Sequence, residues 1–237
     1  MQTLNKIDGA YSPATIRAYR ADFKEFIEYA ENNNEAALPA SSMIVSGFIT
    51  HLIQRGQKSA SIRRSVAGIG SIHTLSGYAD PTKDVEVKLT IRRMHRQIGR
   101  YHHQALGIRK DILTKMLAVI KQDLRGDRDR ALLMVAYDTL CRRSELLSLQ
   151  VKDISTQIFD QTTGVPSTSI FLRKSKTDQY AEGRWLRISQ PTAKALQTWI
   201  NKSKLTDGLI FRGVNRANKI TPKLDNSQLA RIYKKTA

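Results

Sequence analysis

Apolar residues recur every three to four positions through the first half of this 237-residue chain, in stretches too short for a coiled coil or a membrane span. Ser12 and Pro13 form an N-cap and a first helical position. Behind them Ile16, Tyr19, Phe23, Phe26, Ile27 and Ala30 share one face, and Asn32-Asn33-Asn34 ends the run. The pattern predicts a second helix from Ser41 to Arg55, stopped by Gly56, and a third capped by Ser59 that carries Ile62, Val66, Ile69 and Ile72. Gly77 and Pro81 break the chain, and a fourth, strongly basic helix is expected from Asp84 to Tyr101.

Periodicity is lost between His102 and Ile108, where a linker is expected. Helical spacing returns at Lys110–Gln122, Asp127–Tyr137 and Cys141–Leu149. It then gives way to two short β-rich runs, Ser169–Arg173 and Arg184–Ile188, joined by the polar stretch 174–183. Thr192–Asn201 and Asn226–Lys234 read as helices again. The chain is therefore expected to be mainly α, with a small helical domain over residues 1–104. A second helical domain over 105–237 would carry an inserted β-hairpin or small sheet.

The charge narrows the choice of partner. Lys and Arg number 39 against 21 Asp and Glu, a net charge of +18. Such an excess favours a polyanion, because phosphates neutralised by cations release their counterions. The excess is uneven. Residues 1–107 hold 14 basic and 9 acidic side chains, whereas residues 108–237 hold 25 and 12. The single cysteine, Cys141, has no companion for a disulfide or a zinc site, so it is expected to be a small buried side chain. No apolar run approaches the roughly 18–20 residues of a membrane helix, and the polar first ten residues lack the apolar core of a signal peptide. A soluble, cytoplasmic protein is expected, with no membrane contact and no metal.

One segment carries a specific chemical suggestion. The stretch from Arg128-Asp129-Arg130-Ala131 to Thr139-Leu140-Cys141-Arg142-Arg143-Ser144-Glu145 brings an apolar helix to two adjacent arginines, with a glutamate three residues after the first. Residues three apart on a helix share a face, so Glu145 is placed to orient the Arg142 guanidinium, and an oriented guanidinium grips a phosphate in bidentate fashion. A plain surface ion pair is the alternative.

The segment resembles the arginine box of the tyrosine recombinases, the phage integrase family. The resemblance implies that Arg142 is the first catalytic arginine, Glu145 the acidic residue that supports it, and Arg143 a neighbouring DNA contact. Leu140 stands where the family usually has glycine. The Val151-Lys152-Asp153-Ile154 that follows matches one branch of the family. The loop Leu172-Arg173-Lys174-Ser175-Lys176-Thr177-Asp178 matches the family's lysine loop, with Lys176 as the better match to the catalytic lysine and Lys174 in reserve. Such a lysine gives a proton to the leaving 5′ oxygen. Arg173 and Lys174 are then expected to touch DNA. The first half is similar to the family's SAM-like core-binding domain, which makes Lys58, Arg63, Arg64, Arg92, Arg93 and Arg96 candidate DNA contacts.

The resemblance implies a site-specific DNA recombinase or integrase that cuts and rejoins strands through a 3′-phosphotyrosine, with no cofactor. Its partner would be double-stranded DNA with an inverted-repeat site, and the complete enzyme would be a tetramer on DNA. The family's His-x-x-Arg box and nucleophilic tyrosine are expected downstream of the lysine loop. All five histidines, at 51, 73, 95, 102 and 103, precede Arg142, and only Tyr180 and Tyr233 follow Lys176. This chain is accordingly expected to be incomplete in its second domain, to bind DNA without cleaving it, and to be a monomer in solution. A non-catalytic module that occupies recombination sites is the first alternative. An unrelated basic helical regulator and a type IB topoisomerase are the others.

Overall fold

The computed structural model describes residues 10–101, 106–159, 166–175, 178 and 182–236, with the side chains of 157–159 and 166 excepted. The chain divides into two compact units, Met1–Gln104 and Ala105–Ala237.

In the first unit, α1 (Pro13–Asn32) begins where the Ser12 hydroxyl accepts the Thr15 N–H at 3.2 Å, and Pro13 occupies a position that needs no N–H. Helix α2 (Ser42–Gln54) is capped by Ser41 in the same way, and Gly56 takes the left-handed φ of 71° that lets the chain turn back. Helix α3 (Ser59–Leu75) corrects one expectation. Its N-cap is Lys58, which makes no side-chain cap bond, and Ser59 lies inside the helix. The Ser59 hydroxyl faces His95 Nδ1 at 3.1 Å instead. A partner in a neighbouring helix has taken the hydroxyl that local propensity assigned to the cap. Helix α4 (Val85–Ile98) starts at the Asp84 cap. Helix α2 packs on α4 and α1 on α3. Phe26, Phe48, Ile49, Leu52, Ile62, Ile69 and Met94 close the core.

The second unit opens with α5 (Lys110–Ala118) and α6 (Leu124–Thr139). The short α7 (Arg143–Ser148) leads through a 3-10 turn, Val151–Asp153, into the sheet. That sheet has three antiparallel strands in the order β1 (Ile154–Phe159), β2 (Pro166–Leu172) and β3 (Arg184–Arg187). The hairpin is where it was expected, and β1 is an addition to it. Ile154 pairs with Ile170, which pairs with Leu186, and the register shifts between Ser155 and Ile158. That irregularity breaks the alternation by which a strand is read from sequence. Helix α8 (Gln190–Ser203) packs on α6, and α9 (Asn226–Thr236) follows. Trp199, Phe211, Leu132 and Met116 are fully buried in this unit's core.

Candidate site at the arginine turn and the basic loop

Helix α6 stops at Leu140, which holds a left-handed conformation (φ 49°, ψ 28°) with its side chain 83% exposed. A positive φ of this kind strains any residue with a Cβ. Leu140→Gly is expected to stabilise the second unit by about 0.5–1 kcal/mol, since almost no apolar burial is lost. A urea titration measures this, and a destabilised variant would remove the strain argument.

The turn at Leu140 presents Arg142. Its backbone N–H donates to Glu145 Oε2 at 2.9 Å, and its Nη1 donates to Glu145 Oε1 at 2.8 Å. Glu145 is the third residue of α7 and is 5% exposed, whereas the Arg142 side chain is half exposed. One carboxylate thus satisfies a helix-start N–H and fixes the guanidinium. Asp138 ties the turn to α8 by accepting the Ser189 N–H at 2.7 Å. Arg143 is exposed and has no acidic partner among the described residues. Cys141 is half-buried against the core, and burial pushes its thiol above the ordinary value.

The loop after β2 begins with Arg173. Its guanidinium makes a bidentate pair with Asp153, which is 2% exposed. That pair holds the Arg173 pKa above its ordinary value, through the hydrogen bond first and the Asp153 charge besides. Lys174 is exposed. Lys176, the expected catalytic lysine, and Tyr180 lie outside the described residues. Tyr233 sits half-buried on α9, where burial raises its phenol pKa. That shift disfavours the phenolate a nucleophile needs.

The six basic residues singled out in the first unit fall into two groups. Arg64 is committed to buried Asp22 through two hydrogen bonds of 2.8 Å, and Arg93 to Glu86 at 2.9 Å. Lys58, Arg63, Arg92 and Arg96 are exposed with no acidic partner among the described residues. His95, which bridges to Ser59, has its pKa lowered by burial first and then by the Arg100 and Arg63 charges. Sequence reasoning assigned no role to Asp153. A short acidic side chain between a lysine and a strand carries no local sign of burial.

Among the described residues, no group of three or more His, Cys, Asp or Glu side chains could hold a metal ion, and no helix is long and apolar enough to cross a membrane.

Residues 106–237 match the phage integrase family, and residues 5–80 match the N-terminal SAM-like domain of phage integrases. The integrase/recombinase xerD homolog of Selenomonas ruminantium is 25% identical over 246 residues, covering 99% of this chain and 70% of that protein. Recombinase cre of Escherichia phage P1 is 25% identical over 203 residues, covering 84% of this chain and 57% of that protein. Among solved structures, the XerH site-specific recombinase in a post-cleavage complex with a palindromic difH substrate aligns with a TM-score of 0.60. The alignment has 17% identity over 93% of this chain and 62% of that one, a likeness of fold. With both family matches and an arginine turn of the expected form, the chain belongs to the phage integrase family, the tyrosine recombinases.

Proposed function

We propose that this chain is the DNA-binding and partly catalytic portion of a site-specific recombinase that cuts and rejoins DNA through a 3′-phosphotyrosine. The first unit serves as the core-binding domain and the second as the catalytic domain. The observation that carries the reading is the Arg142–Glu145 pair. A half-exposed guanidinium is held by a buried carboxylate, which is how an arginine is prepared for a phosphate. Lys176 is the proton donor to the leaving 5′ oxygen, with Lys174 in reserve. Lys58, Arg63, Arg92 and Arg96 contact the duplex backbone, joined by Arg143 and Lys174. Arg64 and Arg93 contribute less, because each already has an acidic partner.

The target is duplex DNA with an inverted-repeat site, occupied by one chain per half-site and by a tetramer in the full enzyme. Within these 237 residues no histidine follows Arg142, and Tyr233 is half-buried with a raised pKa. Both observations favour a polypeptide that binds its site without forming a covalent link. The test is a gel shift combined with adduct trapping on a nicked suicide duplex that contains inverted repeats found beside the gene. The expected result is a salt-sensitive shift with no adduct. Arg142→Ala is expected to weaken the shift by about ten- to a hundredfold, the loss of a charge-assisted contact. A covalent adduct would overturn the binding-only part of the reading. A wild-type shift that Arg142→Ala leaves intact would overturn the role of the arginine turn.

A further inference from the structure

The loop between β2 and β3 is tied down at both of its ends. At the start, Arg173 is the first residue beyond β2, and its guanidinium grips Asp153 in bidentate fashion. Asp153 ends the 3-10 turn that leads into β1, and its side chain is 1% exposed. At the far end, the two Asp178 carboxylate oxygens accept the backbone N–H groups of Glu182 at 3.1 Å and Gly183 at 2.9 Å. Ser175 Oγ accepts the Asp178 N–H at 3.1 Å. Gly183 holds a φ of 71°, and a Cβ there would lie 2.5 Å from the Phe171 ring. The chain therefore returns to β3 pressed directly against β2.

These ties are larger than a connection between two strands requires. A flexible polar loop would join β2 to β3 with no buried charge at all. A buried carboxylate is costly unless it is paired, and a bidentate arginine fixes direction as well as distance. The partner chosen is the residue immediately before Lys174.

We infer that Asp153 is a positioning residue for the recombination reaction: through Arg173 it sets the direction in which the chain leaves the sheet at Lys174. The inference rests on the reading of the chain as a DNA recombinase. It goes beyond that reading by assigning a role to an acidic residue that touches no phosphate.

Electrostatics and positioning predict opposite signs for the test. Asp153→Asn raises the net charge by one and releases the Arg173 guanidinium, so a purely electrostatic role makes DNA binding tighter. A positioning role makes binding to the specific site weaker. The whole 237-residue chain is titrated with its inverted-repeat duplex, as wild type, Asp153→Asn and Arg173→Lys, each also in a Lys174→Ala/Lys176→Ala background. Arg173→Lys keeps the charge, loses the bidentate grip and lies on a half-exposed side chain, so it stands in if Asp153→Asn does not fold. The expected result is about tenfold weaker specific binding for either variant, the size of one charge-assisted hydrogen bond, and no further loss once both lysines are gone. Unchanged or tighter binding overturns the inference, as does an equal loss in the lysine-free background, which is what general destabilisation gives.

Limited trypsin digestion runs alongside, without DNA. Cleavage after Lys174 and Lys176 is expected to be faster in Arg173→Lys than in wild type at equal melting temperature. If wild type fails to shift DNA, the recombinase reading fails, and the digestion still decides whether Asp153 tethers the loop. Equal cleavage rates overturn the tether.

Discussion

Trp199→Ala is expected to unfold the second unit while leaving the first folded. The Trp199 side chain is completely buried, and its indole N–H donates to the Ile210 carbonyl at 2.8 Å. Alanine opens a large cavity beneath α8 and leaves that carbonyl unpaired, at a cost of about 3–5 kcal/mol. That is a large part of the roughly 5–15 kcal/mol by which a domain is stable. The buried apolar residues of the two units form separate clusters, so the damage is expected to stay in one of them. Urea denaturation followed by far-ultraviolet circular dichroism should show two steps, with only one displaced. A shift of less than 1 kcal/mol in that step would mean that Trp199 is not the keystone its burial suggests.

Glu145→Gln is expected to do to DNA binding what removing Arg142 does, although it takes away a negative charge. The carboxylate accepts both the Arg142 N–H and the Arg142 guanidinium. An amide has one acceptor oxygen and turns an NH2 group toward one of those two donors. The variant is expected to lose about 1–3 kcal/mol of stability, at the lower end because the Arg142 side chain is half exposed to screening water. Its effect on DNA affinity should be about tenfold or more, and it should vanish in an Arg142→Ala background, since orientation matters only while the guanidinium is there. Filter binding across a salt series measures it. Tighter binding by Glu145→Gln would show that Glu145 only neutralises charge.

The helical face of α1, its Ser12 cap and Pro13 start, and the break at Gly56 were legible because each depends on residues within one or two turns of each other. So was the pairing of Arg142 with Glu145, three residues apart at a helix start. Strand β1 was harder to read. Its register shift between Ser155 and Ile158 spoils the alternation that marks a strand, and its partner β2 lies beyond residues 160–165. Ser59 looked like a cap because its preference is local, and His95, 36 positions away, claimed the hydroxyl.

The sorting of the cations shows the same division more sharply. Lys58, Arg63, Arg64, Arg92, Arg93 and Arg96 are alike as letters in a row. Arg64 is set apart by Asp22, 42 positions earlier, and Arg173 by Asp153, 20 positions earlier. The sequence by itself determined the helical character of the chain, its basic charge and the arginine turn, because helix periodicity, caps and i, i+3 pairs act over a few residues. Tertiary structure alone decided that Arg64 and Arg173 are neutralised, that Asp22 and Asp153 are buried and what holds the basic loop, because such burial and ion pairing depend on the distant neighbours that folding supplies.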